Sequence, residues 1–175
     1  MKIAFHDLVP QCAPTAYIAP NTILLGDVHV DEQCTILFGA VLRAENFAIR
    51  LGPRCCVQDT AVIHPGDAEI VFAEDCTIGY GAKIHGGRFG RGSFVGANAV
   101  VLQGAEIGEE CIIAAGAIVR LGMKIPSRSL VAGVPARIIR QLSDEDVRFP
   151  NQAATDFYLT VNEQFRGEGA LKIIE

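Results

Sequence analysis

A bulky apolar residue returns at every sixth position through most of this chain. From Ile18 the series runs through Leu24, Val30, Ile36 and Leu42. A nine-residue step leads to Leu51, Val57 and Ile63, and a second leads to Phe72, Ile78 and Ile84. A five-residue step reaches Phe89, and sixes then carry the series from Val95 through Val101, Ile107, Ile113, Val119 and Ile125 to Val131. The residue four further on is mostly small, as at Cys34, Ala40, Cys55, Ala61, Cys76, Ala82, Ala99 and Cys111; Val28, Asn46, Asp67, Arg88 and Met123 depart from this rule. A strict period of six cannot hold one face of a 3.6-residue helix. It does suit a parallel β-helix, in which each six supplies one short strand and one corner. Three sixes close a triangular coil, and coils stack at about 4.8 Å. The bulky residue fills the interior, and the small one leaves room where the chain turns. The expected fold is therefore all-β, a parallel β-helix of about six coils over residues 1–136. A helical segment over 137–175 is expected to pack on it.

Composition fits a turn-rich solenoid better than a conventional mixed core, with 18 glycines, no tryptophan and only 7% aromatic residues. A net charge of −5 provides no basic footprint for nucleic acid. No apolar run reaches the roughly 18 to 20 residues of a membrane span, and the N-terminal stretch does not read as a signal peptide. A cytoplasmic protein with no membrane or nucleic-acid partner is expected. Of six cysteines, Cys34, Cys55, Cys76 and Cys111 fall in the small interior slot, where a thiol acts as a compact apolar group. Cys12 falls on the bulky register, Cys56 is expected to face outward, and no CxxC pair occurs. This pattern suits a reducing compartment.

At the N-terminus, Ile3 to Val9 is expected to cover the first coil. The repeat ends at Val131-Ala132-Gly133-Val134-Pro135-Ala136-Arg137. Ser143-Asp144-Glu145-Asp146 reads as a helix start, and Pro150 should end or restart that helix. Over 152–166, Phe157, Val161 and Phe165 recur at spacings of four, one apolar stripe suited to lying along the coils. Gly167-Glu168-Gly169 should end it before the tail.

The register also sorts the polar residues. With the three sides named A, B and C from Ile18, the residues directly after the bulky positions of side B include Arg43, His64 and His85 on successive coils. The 21 residues between the histidines are one coil of eighteen plus an insertion of three. Both nine-residue steps leave side B, so 44–50 and 65–71 are expected as loops beside this ladder, where function concentrates on rigid scaffolds. Two imidazoles one rung apart can converge on a metal through bonds of roughly 2.0 to 2.1 Å. On side A, Gln58 and Asp59 lie one coil below Gly79 and Tyr80, which stacks a carboxylate and a phenol. His6 and His29 do not join the ladder.

Arg43-Ala44-Glu45, Gln58-Asp59, His64 and the run Gly79-Tyr80 to His85-Gly86 together resemble the γ-class carbonic anhydrases. The resemblance spans nearly the whole chain, including Gly133-Val134-Pro135-Ala136-Arg137. It implies a left-handed β-helix assembled as a homotrimer, with metal sites between subunits. Zinc, or another divalent ion such as iron or cobalt, would acidify water for attack on carbon dioxide, a small-molecule substrate. By that resemblance His64 and His85 are metal ligands from one subunit. Arg43 is an interface arginine that pairs with Asp59 or Glu45, and Gln58 and Asp59 stand near the reactive water. The position of the third histidine, which the adjacent subunit contributes, holds Tyr80. A free phenol has a pKa near 10, so presenting phenolate at pH 7 costs about 4 kcal/mol. Hydration is therefore expected to be weak or absent.

Two other readings stay open on the sequence. An acyl-CoA-dependent acyltransferase shares the hexapeptide and the Gly-x-Pro-Ala-Arg ending, and His85 could act as its base. A non-catalytic assembly subunit would keep the scaffold for its interfaces alone.

Overall fold

The computed structural model describes residues 1–167 and 169–171. It is a parallel β-solenoid in which every bulky position of the repeat points inward. Leu24, Ile36, Leu42, Val57, Ile63, Ile78, Val101, Ile113, Val119 and Val131 are all fully buried. The small slots Cys34, Ala40, Cys55, Ala61, Cys76, Ala82, Ala99, Cys111 and Ala117 are buried between them. Packing at the density of an organic crystal requires this alternation, since two large side chains cannot share one corner.

Side A is a ladder of two-residue strands: Tyr17–Ile18, Thr35–Ile36, Cys56–Val57, Thr77–Ile78, Phe94–Val95 and Ile112–Ile113, then the longer Ser129–Ala132. These are seven rungs against the six coils expected. The seventh rung is Ser129–Ala132, which carries the last bulky position, Val131, while Lys2–Ile3 and Gln11–Cys12 cover the first coil by pairing in parallel with Ile23–Val30. Cys12 packs against the core there, on the bulky register. Between those two strands the chain doubles back through a Phe5–Leu8 bridge.

Sides B and C belong to one twelve-stranded sheet, because Ile23–Val30 and Val41–Leu51 run unbroken around their shared corner. The stretch 44–50 is thus extended strand, although the nine-residue step predicts a loop. It pairs with the coil before it, and the extra residues are taken up by a register shift between Gly26 and Val28. The second insertion does form a loop, which ends where Ile70–Phe72 rejoins the ladder.

After Ser129–Ala132 the chain turns through 133–136, and Arg137–Gln141 returns antiparallel, so a strand precedes the helices. Ser143 caps α1 (Asp144–Val147) in a reciprocal capping box with Asp146. A π turn over Arg148–Gln152 contains Pro150 and leads into α2 (Ala153–Arg166). The helix therefore restarts around the proline, which can donate no backbone hydrogen bond.

The face of α2 that meets side A is more polar than the Phe157 stripe predicts. Phe157 is 60% exposed, whereas Thr155, Tyr158 and Asn162 are buried. The reason lies in the coil edges, where backbone carbonyls need donors. From α2, Asn162 Nδ2 donates to Cys34 O at 2.7 Å and Thr155 Oγ1 to Asp75 O at 3.4 Å, and from the π turn before it Asn151 Nδ2 donates to Gly92 O and Cys111 O; in the other direction Thr35 Oγ1 donates to the Tyr158 carbonyl at 3.2 Å. Val161 and Phe165 add apolar contact. Cys56 does project outward from its coil but is only 1% exposed, packed with Tyr17, Ala19, Leu37 and Tyr158 where α2 covers it.

Thr60 sits at an A-to-B corner with φ of 60°, a left-handed conformation that a β-branched residue adopts at a cost. The next coil has Gly81 at φ 63° and the one after it Asn98 at φ 57°. Thr60→Asn is expected to stabilise the protein by about 0.5–1 kcal/mol, measured by denaturant unfolding. A loss of stability would show that the Thr60 methyl, which lies near Gly39, contributes more than the strain costs. Among the described residues, no helix is long and apolar enough to cross a membrane.

Candidate metal centre

Val62–Ile63 pairs with Lys83–Ile84 in register, and Val41–Leu42 pairs with Val62–Ile63. Arg43, His64 and His85 therefore leave side B one above another, as the coil register predicts. The two imidazoles stack with centroids 5.6 Å apart and planes inclined by 18°. His85 Nδ1 lies 3.2 Å from the carbonyl oxygen of His64. A carbonyl can only accept, so Nδ1 is the donor in this contact and Nε2 is the nitrogen left for a metal.

Glu45 completes this cluster. One carboxylate oxygen is bonded by Arg43 Nη1, and the other lies 3.4 Å from His64 Nε2. Its side chain is only 18% exposed. Burial, and then the Arg43 charge, hold the His64 imidazole below its ordinary pKa, with Glu45 opposing and His85 adding a smaller push downward. A neutral imidazole is the form a metal binds.

Gln58, Asp59 and Tyr80 stand apart on side A. Gln58 is 5% exposed, and its Oε1 accepts the backbone N–H of Tyr80 at 3.0 Å. The Asp59 carbonyl accepts from Gly81 N–H at 3.0 Å. The Tyr80 ring is 51% exposed, and its hydroxyl lies 3.2 Å from that of Tyr158 on α2. Burial first, then that hydrogen bond, pushes the Tyr158 phenol well above its usual range. Tyr158 has no counterpart among the sequence candidates, since its contact with Tyr80 spans 78 residues and leaves no local pattern.

The donor chemistry can be weighed against a divalent metal. Two imidazoles with a carboxylate beside one of them suit zinc, cobalt or iron. The Tyr80 phenol, hydrogen-bonded to Tyr158, does not supply an equivalent third nitrogen. Among the described residues no three His, Cys, Asp or Glu side chains are already gathered closely enough to hold an ion. One chain thus carries two separate groups of candidate residues, with Arg43, Glu45, His64 and His85 on side B and Gln58, Asp59 and Tyr80 on side A.

Known proteins share this arrangement of coils. Residues 88–120 match the family described as bacterial transferase hexapeptide (six repeats). Carnitine operon protein CaiE of Escherichia coli K12 is 37% identical over 147 residues, covering 83% of this chain and 75% of CaiE. The mitochondrial gamma carbonic anhydrase 1 of Arabidopsis thaliana is 32% identical over 158 residues, covering 86% of this chain but 58% of that protein. The crystal structure of a hexapeptide transferase family protein from Anaplasma phagocytophilum superposes with a TM-score of 0.89 at 29% identity, covering 93% of this chain and 96% of that one. The chain belongs to the hexapeptide-repeat family of carnitine operon protein CaiE, and within it is a γ-carbonic-anhydrase-like protein.

Proposed function

We propose that the protein is a homotrimer holding a divalent metal, zinc or else iron or cobalt, between subunits, with weak or absent carbon dioxide hydration. The observation that carries this reading is the His64–His85 ladder: two stacked imidazoles, one fixed by a backbone hydrogen bond in the tautomer that metals take. Assembly is supported by the division of the candidate residues between two sides. Side A is covered by α2, whereas side B carries beside the ladder the outward row Val41, Val62, Lys83, Val100 and Ile118, apolar except for Lys83. A second copy packed there would bring a side A half-site to a side B half-site.

In this reading His64 and His85 hold the metal, Arg43 and Glu45 fix its surroundings, and Gln58 and Asp59 orient water. When bound, the metal supplies the Lewis acidity that brings water's pKa toward neutrality. Tyr80 is the reason for weak activity, because its phenol is already engaged by Tyr158 and ionises only at a cost. Six free thiols are consistent with a reducing compartment such as the cytoplasm.

Purified protein is expected to scatter light as three chains, to carry less than one zinc per chain, and to hydrate carbon dioxide near the uncatalysed rate. Stoichiometric zinc with fast hydration would overturn the account of Tyr80. An acyltransferase is the second reading, favoured by the transferase repeat matched at 88–120. That match begins beyond His85, so it describes scaffold. Heat on titration with coenzyme A would favour it; no heat would count against it.

A further inference from the structure

We infer, on the reading that the protein assembles as a homotrimer, that Phe157 anchors each subunit contact, seated on Val62 of the partner subunit. Phe157 is the one aromatic side chain of α2 that the described residues leave bare, at 60% exposure. Its ring lies edge-on to Tyr158, with centroids 5.1 Å apart and planes inclined by 79°. The Tyr158 hydroxyl in turn lies 3.2 Å from that of Tyr80, whose ring is also exposed. Two bare rings thus flank a buried one, forming an aromatic patch beside the candidate residues of side A. Large aromatic groups presented on a rigid element are the kind that carry the binding energy of an interface.

Three observations point to side B of a second copy as the surface that covers this patch. The first is exposed apolar area. Val62 is 38% exposed and stands between Val41 and Lys83 on neighbouring rungs of side B. The second is height along the prism. Thr155 donates to the Asp75 carbonyl and Tyr158 meets Tyr80, which sets Phe157 level with the coils that carry Val62 and Lys83. Rotation about an axis parallel to the prism moves nothing along it, so a closed ring brings each element to a neighbour at its own height. The third is charge. Among the described residues neither Asp59, one rung below Tyr80, nor Lys83 has an ion-pair partner, and Lys83 Nζ donates to the Gly81 carbonyl at 3.0 Å. An ammonium covered within an apolar row needs a carboxylate beside it, and Asp59 of the partner subunit brings one with the aromatic patch. The contact is head-to-tail, side A of one copy on side B of the next, so every patch and every row is used once. Seating Phe157 there also carries Tyr80 toward the partner subunit's His64 and His85, the placement that a metal between subunits requires.

The test compares full-length wild type, Phe157→Ala, Phe157→Cys, Val62→Cys and the double variant Phe157→Cys/Val62→Cys. Each is checked for an intact fold by circular dichroism, and since both side chains face solvent in the single chain, all should pass. By light scattering over a dilution series, wild type is expected to be a trimer. Phe157→Ala should dissociate at a concentration about 30-fold higher or more, the effect of removing an interface anchor. At concentrations where the double variant is trimeric, a short bismaleimide should join it into covalent chains of two and three. Neither single-cysteine variant should be joined, because a head-to-tail contact brings position 157 to position 62 and not to itself. Given a trimeric wild type, an unchanged midpoint for Phe157→Ala would overturn the inference while the trimer stood. So would a trimeric double variant that is not joined, or joining of Phe157→Cys alone. A wild type that remains a single chain at high concentration would overturn both.

Discussion

Replacing Tyr80 with histidine is expected to tighten zinc binding by roughly 100- to 1,000-fold and to make that binding depend on assembly. The size follows from proton chemistry. A free phenol gives up about 4 kcal/mol in becoming a phenolate at pH 7, while an imidazole is already a neutral donor. A pairwise free energy of that size corresponds to nearly three powers of ten, and the loss of the Tyr158 contact takes back part of it. Position 80 faces outward from side A, so the new imidazole would act on a neighbouring subunit's His64 and His85. Competition against a chromophoric chelator should show the gain in concentrated trimer and its loss on dilution to monomer. Carbon dioxide hydration should rise in parallel. If affinity is unchanged in the trimer, the side A and side B half-sites do not meet, and the proposed assembly is wrong.

Gly96→Val is expected to cost about 3 kcal/mol or more, read as a fall in the denaturant midpoint with the slope unchanged. Gly96 is the outward residue after Val95 on side A, and its N–H donates to the Ile113 carbonyl at 2.7 Å. A Cβ built there would lie 2.5 Å from Ala115 N and 2.8 Å from Ala114 C. Both are backbone atoms of the next coil, so no rotamer change can make room and the rungs must separate. Gly108 is placed in the same way on side C, with a Cβ 2.3 Å from Ser127 N. An unaltered midpoint would mean that the coils can part locally without cost to their neighbours.

Most of the fold is legible in the sequence because a period of six has one physical solution, and each coil repeats the evidence for it. His64 and His85 could be placed on one ladder from counting alone, since the register that buries Ile63 and Ile84 also turns the following residue outward. Glu45 was visible as a polar neighbour of Arg43, but not as a partner of His64. That contact depends on 44–50 continuing as strand, which is set by pairing with Ile23–Val30 rather than by its own residues. The helix packing was harder for a related reason. A stripe of Phe157, Val161 and Phe165 is a sound expectation for an apolar surface, yet α2 lies over carbonyl-rich coil edges. Asn162 and Thr155 serve that surface better than Phe157. Tyr158 meets Tyr80 only because the C-terminal helix folds back along side A, information that no local pattern holds.

The strand Arg137–Gln141 runs opposite to the ladder it joins, and this gives the molecule a definite stop. A stack of identical rungs has no length of its own, and its last parallel edge offers a matching template to another chain. Reversing one strand means that a further rung running with the ladder meets an edge of opposite direction, so the uniform parallel pattern is not continued past it. Length is thereby separated from chemistry. Eighteen residues of the same period inserted between Ile113 and Ser129 would lengthen the prism by one step of about 4.8 Å, leaving the terminating hairpin and the histidine pair unchanged.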